Sequence, residues 1–373
     1  MKITDVKTAV IKGNFEWTLV RIYTDEGIAG IGEAYWGAGV KEIIHHLRGM
    51  LAGQDPLNVD CLFHRMMRGM SGAGSIAGAT VTAISGVEIA LWDVAGKALN
   101  VPVYNLLGGK FRDRIRIYAD CGGSADPKAC ADRAQEAKAM GYTVLKFDTC
   151  VPADYRSDAH NRCLSVEAVR HIVETMEALR QAVGEDIDLC LDCHWQYSTK
   201  DAIRLANALE EYNLLWLEDP TPPENIDALA KVAASTNTPI CTGENLYTKH
   251  GFRDLIEKQA ADIVAPDISK VGGLLESKRI ADMADTYYIP IAPHNVSSPI
   301  GTIAAAHMCA SIPNFLVMEF HSMEIPWWDD LVEGDGPVIR EGYITVPDRP
   351  GIGVELYEEV ARRHLKEGET FFE

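Results

Sequence analysis

Apolar and polar positions follow three successive patterns along the 373 residues. Between residues 1 and 112, strand-like runs at 6–11, 17–23 and 28–35 come first, the last two joined across the turn Asp25-Glu26-Gly27. Apolar positions then recur at helical spacing near 38–51, 57–69 and 77–99, and the last of these aligns Val87, Leu91, Val94, Ala95 and Ala98. It stops at Asn100-Val101-Pro102, because proline cannot continue a helix. The region reads as an α+β domain.

From 113 to 321 short apolar strands alternate with amphipathic helices. Strands are predicted at 115–120, 144–148, 189–192, 214–218, 240–244, 263–267, 289–294 and 315–319, and each ends in a polar residue. Their ends lie 23 to 28 residues apart, except for one interval of 44 that holds a polar insertion from Asp154 to Arg162. Strands apolar on both faces are buried on both faces, and eight βα units of nearly constant length predict a closed (β/α)8 barrel. An open doubly wound sheet is the alternative, but it carries a glycine fingerprint after its first strand. Gly72, Gly74 and Gly78 follow no strand, so the loop at 71–78 reads as a lid. The tail, 322–373, adds a strand at 342–346, a turn region at 347–353 and a final helix expected to pack back on the first domain.

Composition narrows the function. Hydrophobic residues make up 47% and charged residues 24%, ordinary globular usage that excludes overall disorder. With 54 acidic against 35 basic residues the net charge is -19, which repels phosphate backbones and anionic lipid and argues against nucleic-acid or membrane partners. No apolar run reaches the roughly 18 to 20 residues of a membrane span, and the first residues read as a strand rather than a signal peptide. Nine scattered cysteines suggest no disulfide framework and fit a reducing cytoplasm. Cys190 and Cys193 form a CxxC, but in a strand they would face opposite sides.

Carboxylates at the carboxyl ends of apolar strands sit at a barrel mouth, where water is limited and burial is costly without compensation. Asp192, Glu218 and Glu244 end three consecutive predicted strands and would stand side by side. Any one alone is as readily a salt bridge or a helix cap. Three at matching positions repel one another, and a hard divalent cation relieves that repulsion. Oxygen-only ligands favour Mg2+ or Mn2+ over zinc and leave about half of an octahedral shell for water and substrate. Further round, Asp267 and His294 end neighbouring strands about 4.8 Å apart, within hydrogen-bonding reach. A carboxylate beside an imidazole fixes its tautomer and raises its pKa, which gives a base usable near neutral pH.

Together with Glu319 on the eighth strand and Lys270-Val271-Gly272-Gly273 after the sixth, this set resembles the enolase superfamily, mandelate racemase subgroup. Ala90-Leu91-Trp92-Asp93-Val94-Ala95-Gly96-Lys97 and Leu106-Leu107-Gly108-Gly109 are similar to that family's capping domain. The resemblance spans essentially the whole chain. It implies an α/β fold, a (β/α)7β-type modified TIM barrel at 113–321 under an α+β capping domain at 1–112, with 322–373 packing back on the cap. It further implies Mg2+ on Asp192, Glu218 and Glu244, and proton abstraction beside a substrate carboxylate by His294 with Asp267. Lys146 and a protonated Glu319 would stabilise the resulting dianion.

Racemases of the subgroup carry Lys-x-Lys at the end of strand two, where this chain has Lys146-Phe147-Asp148. Without the second lysine, racemisation loses its opposite-face base. One-sided abstraction followed by loss of a β-hydroxyl remains, with His194, two residues past Asp192, as the acid for the leaving group; the alternative is that His194 only supports or binds substrate and His294 returns its own proton to the leaving group. Within the subgroup the chain is similar to aldonate dehydratases acting on xylonate and gluconate. The segments that carry this are Asn14-Phe15-Glu16-Trp17-Thr18-Leu19-Val20-Arg21, Gly32-Glu33-Ala34-Tyr35-Trp36-Gly37-Ala38-Gly39 and His294-Asn295-Val296-Ser297-Ser298-Pro299-Ile300. Trp17, Tyr35, Trp36 and Asp148 are then expected to bind substrate, the alternative for the aromatics being a cluster at the domain interface. The implied partner is a small acid sugar, and the implied assembly is a homo-oligomer, a tetramer or octamer. Other readings are an acid-sugar epimerase or cycloisomerase of the same superfamily, a noncatalytic sugar-acid binding protein and, more distantly, a metal-dependent hydrolase.

Overall fold

The computed structural model describes residues 1–72, 76–153, 160–334 and 336–373. Part of the polar insertion, 154–159, and the middle of the glycine-rich loop, 73–75, therefore lie outside the described residues.

The chain opens with an antiparallel meander, β1 (Ile3–Lys12), β2 (Glu16–Thr24) and β3 (Ala29–Ala34). Helices Val40–Leu51, Val59–Ser71 and Ala79–Leu99 pack with it around one apolar cluster. The third helix lies directly on the sheet backbone. A Cβ at Gly30 would sit 2.4 Å from the Ala90 carbonyl oxygen, and one at Gly32 would sit 2.4 Å from that of Gly86, so only glycine permits this approach. By length and composition Ala79–Leu99 could cross a membrane, although Glu88 and Asp93 interrupt its apolar residues. Its apolar window is 89% buried within the fold, the environment of a core helix.

The second unit is a ring of parallel strands, β4 (Arg114–Asp120), β5 (Val144–Asp148), β6 (Asp188–Asp192), β7 (Trp216–Glu218), β8 (Ile240–Thr242) and β9 (Ile263–Val264), paired in that order. The strand predicted at 289–294 is reduced to single bridges from Ile291 to Val264 and to Phe315. Pro290 and Pro293 flank Ile291 and have no N–H to donate, so this stave can only accept at those positions. It does so: Val264 N donates to Pro290 O at 3.0 Å and Glu319 N to Pro293 O at 3.1 Å. β10 (Met318–Phe320) then pairs with β4 and closes the ring.

Residues at i and i+2 of a strand share a face. Tyr118, Val144, Cys190, Trp216, Cys241, Ile263, Ala265, Ala292 and Val317 fill the interior as one apolar layer. Two residues beyond members of that layer stand Asp120, Lys146, Asp192, Glu218, Asp267, His294 and Glu319. The apolar plug thus sets the height of the polar ring above it. Cys190 belongs to this inner layer and Cys193 to the outer cluster under the helices, both as free thiols.

The tail divides between the two units. A hairpin, β11 (Ile339–Arg340) and β12 (Tyr343–Thr345), adds antiparallel to β4, whereas Lys366 N donates to Val10 O and Phe372 N to Thr8 O on the first sheet.

Two buried carboxylates from the first unit reach helix N-termini of the second. Glu33 accepts from Ser298 N at 2.9 Å and Gly301 N at 3.0 Å, at the start of helix Pro299–Ala310. Glu88 accepts from Leu274 N at 2.8 Å and Leu275 N at 3.1 Å, opening helix Leu274–Asp285, and from the Trp92 indole at 2.6 Å. Unpaired N–H groups and the positive end of the helix dipole favour an acceptor there. Burial nevertheless pushes both carboxyls from 4.5 up to about 7. Between those values the folded chain binds more protons than the unfolded one, so these groups make stability fall as pH rises from about 4.5 to 7. In Glu88→Gln the amide must turn its NH2 toward a donor, and unfolding free energy should drop by about 1–3 kcal/mol. Urea melts at pH 5 and pH 7.5 test both points: the variant should be less stable, with a shallower pH slope than the parent.

Candidate active site

Lys146 stands at the centre of the polar ring. Its Nζ lies 2.8 Å from Glu319 Oε1, 3.1 Å from Glu218 Oε1, 3.2 Å from Asp192 Oδ2 and 3.5 Å from Asp120 Oδ2. Burial works against the charged amine, and Glu218 and Glu319 foremost among its neighbours outweigh it, holding the pKa well above the ordinary range. The excess negative charge remains. Burial, with Asp192 and Glu319, drives the Glu218 carboxyl far up, and burial also raises Glu244.

Asp192, Glu218 and Glu244 are all buried and offer oxygens that lie within 4.8 Å of one another. Adjacent pairing of β6 and β7 sets Asp192 directly beside Glu218. Glu244 arrives differently from the predicted strand end. β8 stops at Thr242, and Gly243 takes φ 146°, where a Cβ would meet the Phe252 ring at 2.9 Å and the Ala265 backbone at 3.1 Å. The glycine turns the chain so that Glu244 joins the cluster. Three converging oxygen donors, two of them against the Lys146 ammonium, form a group able to hold a divalent cation.

His294 stands next to that cluster. Its Nδ1 is 2.7 Å from Asp267 Oδ2, as the spacing predicts, while Nε2 lies 3.1 Å from Glu244 Oε2 and 3.6 Å from Glu319 Oε2. Burial disfavours the imidazolium, but Glu244, Glu319 and Asp267 overcome it and push the pKa up to about 10. Neutralising Glu244 with a cation lowers that value, so the base and the cation site are electrostatically coupled. Glu319 is fixed from behind by Asn295, whose N–H donates to Oε2 at 2.9 Å.

His194 reaches the cluster from the other side. Its Nε2 is 3.8 Å from Asp192 Oδ2 and its Nδ1 is 3.7 Å from Asp148 Oδ1, with the ring half-exposed. The strand has already ended at Asp192, and His194 and Trp195 adopt left-handed φ of 47° and 59°. Asp192 Oδ1 accepts from His194 N at 2.9 Å and Arg162 donates to Trp195 O at 2.7 Å, holding this strained turn. Burial, with help from Asp120, pushes the Asp148 carboxyl up to about 6.

The capping residues separate. Tyr35 lies 6.1 Å from the His294 ring and stacks on Trp36 at 5.8 Å, and Lys270 Nζ sits 4.7 Å from the Tyr35 ring while donating to Asn245. Trp17 is a correction. It is 2% exposed, donates its indole N–H to Val296 O at 3.0 Å and packs edge-on against Trp327, so it is committed to the core between the two units. Asp120 and His321 also come to the mouth without a role assigned from sequence. Both signals were present: Asp120 ends its strand as Asp192 does, and His321 follows Glu319 by two residues as His194 follows Asp192.

Known proteins match this arrangement over the full chain. The pattern of the mandelate racemase / muconate lactonizing enzyme N-terminal domain matches residues 6–108, and that of the enolase C-terminal domain-like family matches 129–360. A D-xylonate dehydratase of Haloferax volcanii is 49% identical over 375 residues, covering 100% of this chain and 91% of the relative. A D-galactonate dehydratase of Ralstonia nicotianae is 34% identical, covering 96% and 93%. The crystal structure of a mandelate racemase/muconate lactonizing enzyme-like protein from Rubrobacter xylanophilus superposes with a TM-score of 0.96 at 44% identity, covering 100% and 99%. The chain belongs to the mandelate racemase/muconate lactonizing enzyme family of the enolase superfamily.

Proposed function

We propose that the protein is a Mg2+-dependent aldonate dehydratase that removes the proton next to the substrate carboxylate and eliminates the 3-hydroxyl, giving a 2-keto-3-deoxy acid. Xylonate and gluconate are the favoured substrates. One observation carries the reading: two histidines flank the same carboxylate cluster, His294 at 3.1 Å from Glu244 and His194 at 3.8 Å from Asp192. A base at one end and an acid at the other suit elimination. Relatives named D-xylonate, D-galactonate and D-gluconate dehydratase support it.

When bound at Asp192, Glu218 and Glu244, the cation supplies positive charge that draws in the substrate carboxylate and offsets the charge building on it. Oxygen-only donors suit Mg2+ better than zinc. His294 Nδ1 is committed to Asp267, so Nε2 takes the C2 proton. Lys146 and Glu319, 2.8 Å apart, would stabilise the resulting dianion. As the C2–C3 double bond forms, the C3–O bond breaks, and His194 gives the departing hydroxyl a proton, releasing water. The enol proton then moves to C3 and the histidines return to their starting states through solvent. Aspartate at 148 rather than lysine leaves that face with His194's neighbour instead of a second base. A cytoplasmic location and a homo-oligomeric state belong to the same reading.

In His294→Asn, turnover of xylonate should fall by about 10^3-fold or more, while calorimetry shows aldonate affinity changed by no more than a few-fold. In His194→Asn, dehydration should fall about 10^2- to 10^3-fold, yet NMR in D2O should still show exchange of the C2 proton. Chelation with EDTA should abolish activity, with Mg2+ restoring it better than Zn2+. Absence of turnover across xylonate, gluconate, galactonate and arabinonate overturns the proposal.

A further inference from the structure

Contacts run unbroken round the mouth, half through the cap and half through the barrel. From His294 the upper path passes Tyr35 at 6.1 Å, Trp36 at 5.8 Å, Phe15 at 6.1 Å and the His321 ring at 5.2 Å. The lower path returns from His321 to Asp120 at 3.6 Å, to Lys146 at 3.5 Å, to Glu319 at 2.8 Å and to His294 at 3.6 Å. The aromatic wall therefore begins at the proposed base and ends at His321. Asp120 ends β4 and His321 follows β10 directly, across the ring from β8, where Glu244, two residues past the strand, lies in the candidate cation site.

The His321 imidazole is held for use. Asn14, in the turn between β1 and β2, donates to His321 O at 2.9 Å, accepts from Ser322 Oγ at 3.2 Å and places its Nδ2 3.4 Å from His321 Nδ1. With Nδ1 facing that donor, Nε2 carries the hydrogen. Nε2 lies 3.6 Å from Asp120 Oδ2, too long for a direct hydrogen bond. Asp120 is itself fixed, its other oxygen accepting from Gly122 N at 2.7 Å. A hydroxyl set between them accepts from Nε2–H and donates to the Asp120 oxygen, which Lys146 also faces at 3.5 Å.

Resting on the dehydratase reading, we infer that Asp120 and His321, positioned by Asn14 and Phe15, form the subsite for the hydroxyls at the far end of the acid sugar and set the preferred chain length. The substrate carboxylate lies at the cation side, and the polyol runs beneath Tyr35, Trp36 and Phe15 toward the Asp120–His321 pair. Loss of one or two such hydrogen bonds corresponds to about tenfold in affinity.

Binding of xylonate and of its four-carbon counterpart threonate, which has no C5 hydroxyl, tests this by calorimetry with Mg2+ in a His294→Asn background that stops turnover. Adding His321→Ala should weaken xylonate about tenfold and threonate less than twofold, and His321→Gln should recover part of the loss. Equal weakening of both acids, or none for xylonate, overturns the inference, because a merely structural role moves both together. Melting curves establish folding, and Asn14→Ala, which loosens the same histidine from outside the barrel, gives the same comparison if His321→Ala does not fold. Failure of the dehydratase reading shows separately, as absence of aldonate turnover by the unaltered protein.

Discussion

One buried ammonium holds together a mouth that would otherwise repel itself. Lys146 Nζ is within 3.5 Å of carboxylates from four strands, yet Glu244 and Asp267 add further negative charge that it does not contact. His294, whose raised pKa makes it a second cation beside Glu244 and Asp267, and Lys270 offset part of this charge, but the carboxyls of Glu218 and Glu244 stay raised, first by burial and then by Asp192. The arrangement is unfavourable for the empty fold and favourable for one that takes up a dication and an anion together. Charge that destabilises the resting protein is thereby turned into binding of a cation and of the acid it attracts.

Rigidity elsewhere makes that concentration of charge tolerable. Trp216, Tyr118 and Cys190 pack the barrel interior beneath the polar ring, so the ring residues cannot sink away from one another. Glu33 and Glu88 clamp the first unit to barrel helices at their N-termini, beside the staves that carry His294 and Asp267. The aromatic roof is therefore fixed on the side of the proposed base. Its other edge, Asn14 and Phe15, rests on His321 through one turn, so the far side of the mouth depends on fewer contacts.

Much of this was legible in the chain because periodicity and strand-end polarity are local signals. Asp192, Glu218, Glu319 and Lys146 stand where strand spacing puts them, since a residue two places past an apolar core position on a strand must face the same interior, whereas Asp267 and His294 reach the mouth past the end of β9 and past the bridge at Ile291. What stayed hidden was how some of the expected residues reach the mouth. Glu244 joins the cluster through the left-handed Gly243 rather than by ending a strand, and His194 gets there through a strained turn after Asp192. Pro290 and Pro293 leave the seventh stave as isolated bridges although its composition is that of a strand. Trp17 and Trp36 look alike in sequence, but one is sealed between the units and the other is 45% exposed at the mouth. No one-dimensional pattern separates two tryptophans whose surroundings come from residues hundreds of positions away.

The net charge of -19 gains meaning from this division of the mouth. The ring carboxylates are too few to account for it, so most of the surplus lies on solvated surface, where screening confines each charge to about 8–10 Å at physiological salt. An anionic substrate approaching such a chain meets repulsion everywhere except where local positive charge outweighs it. A cation bound at Asp192, Glu218 and Glu244 provides that point on one side, Lys146 lies between, 3.2 Å from Asp192 and 3.5 Å from Asp120, and the Asp120–His321 pair beyond it offers hydroxyls an acceptor and a donor. The field would therefore orient an acid sugar before it is fully bound, carboxylate toward the cation and hydroxyls toward His321. Orientation of that kind brings the C2 proton to His294 in preference to protons further along the chain, and it follows from where the charges lie rather than from how many there are.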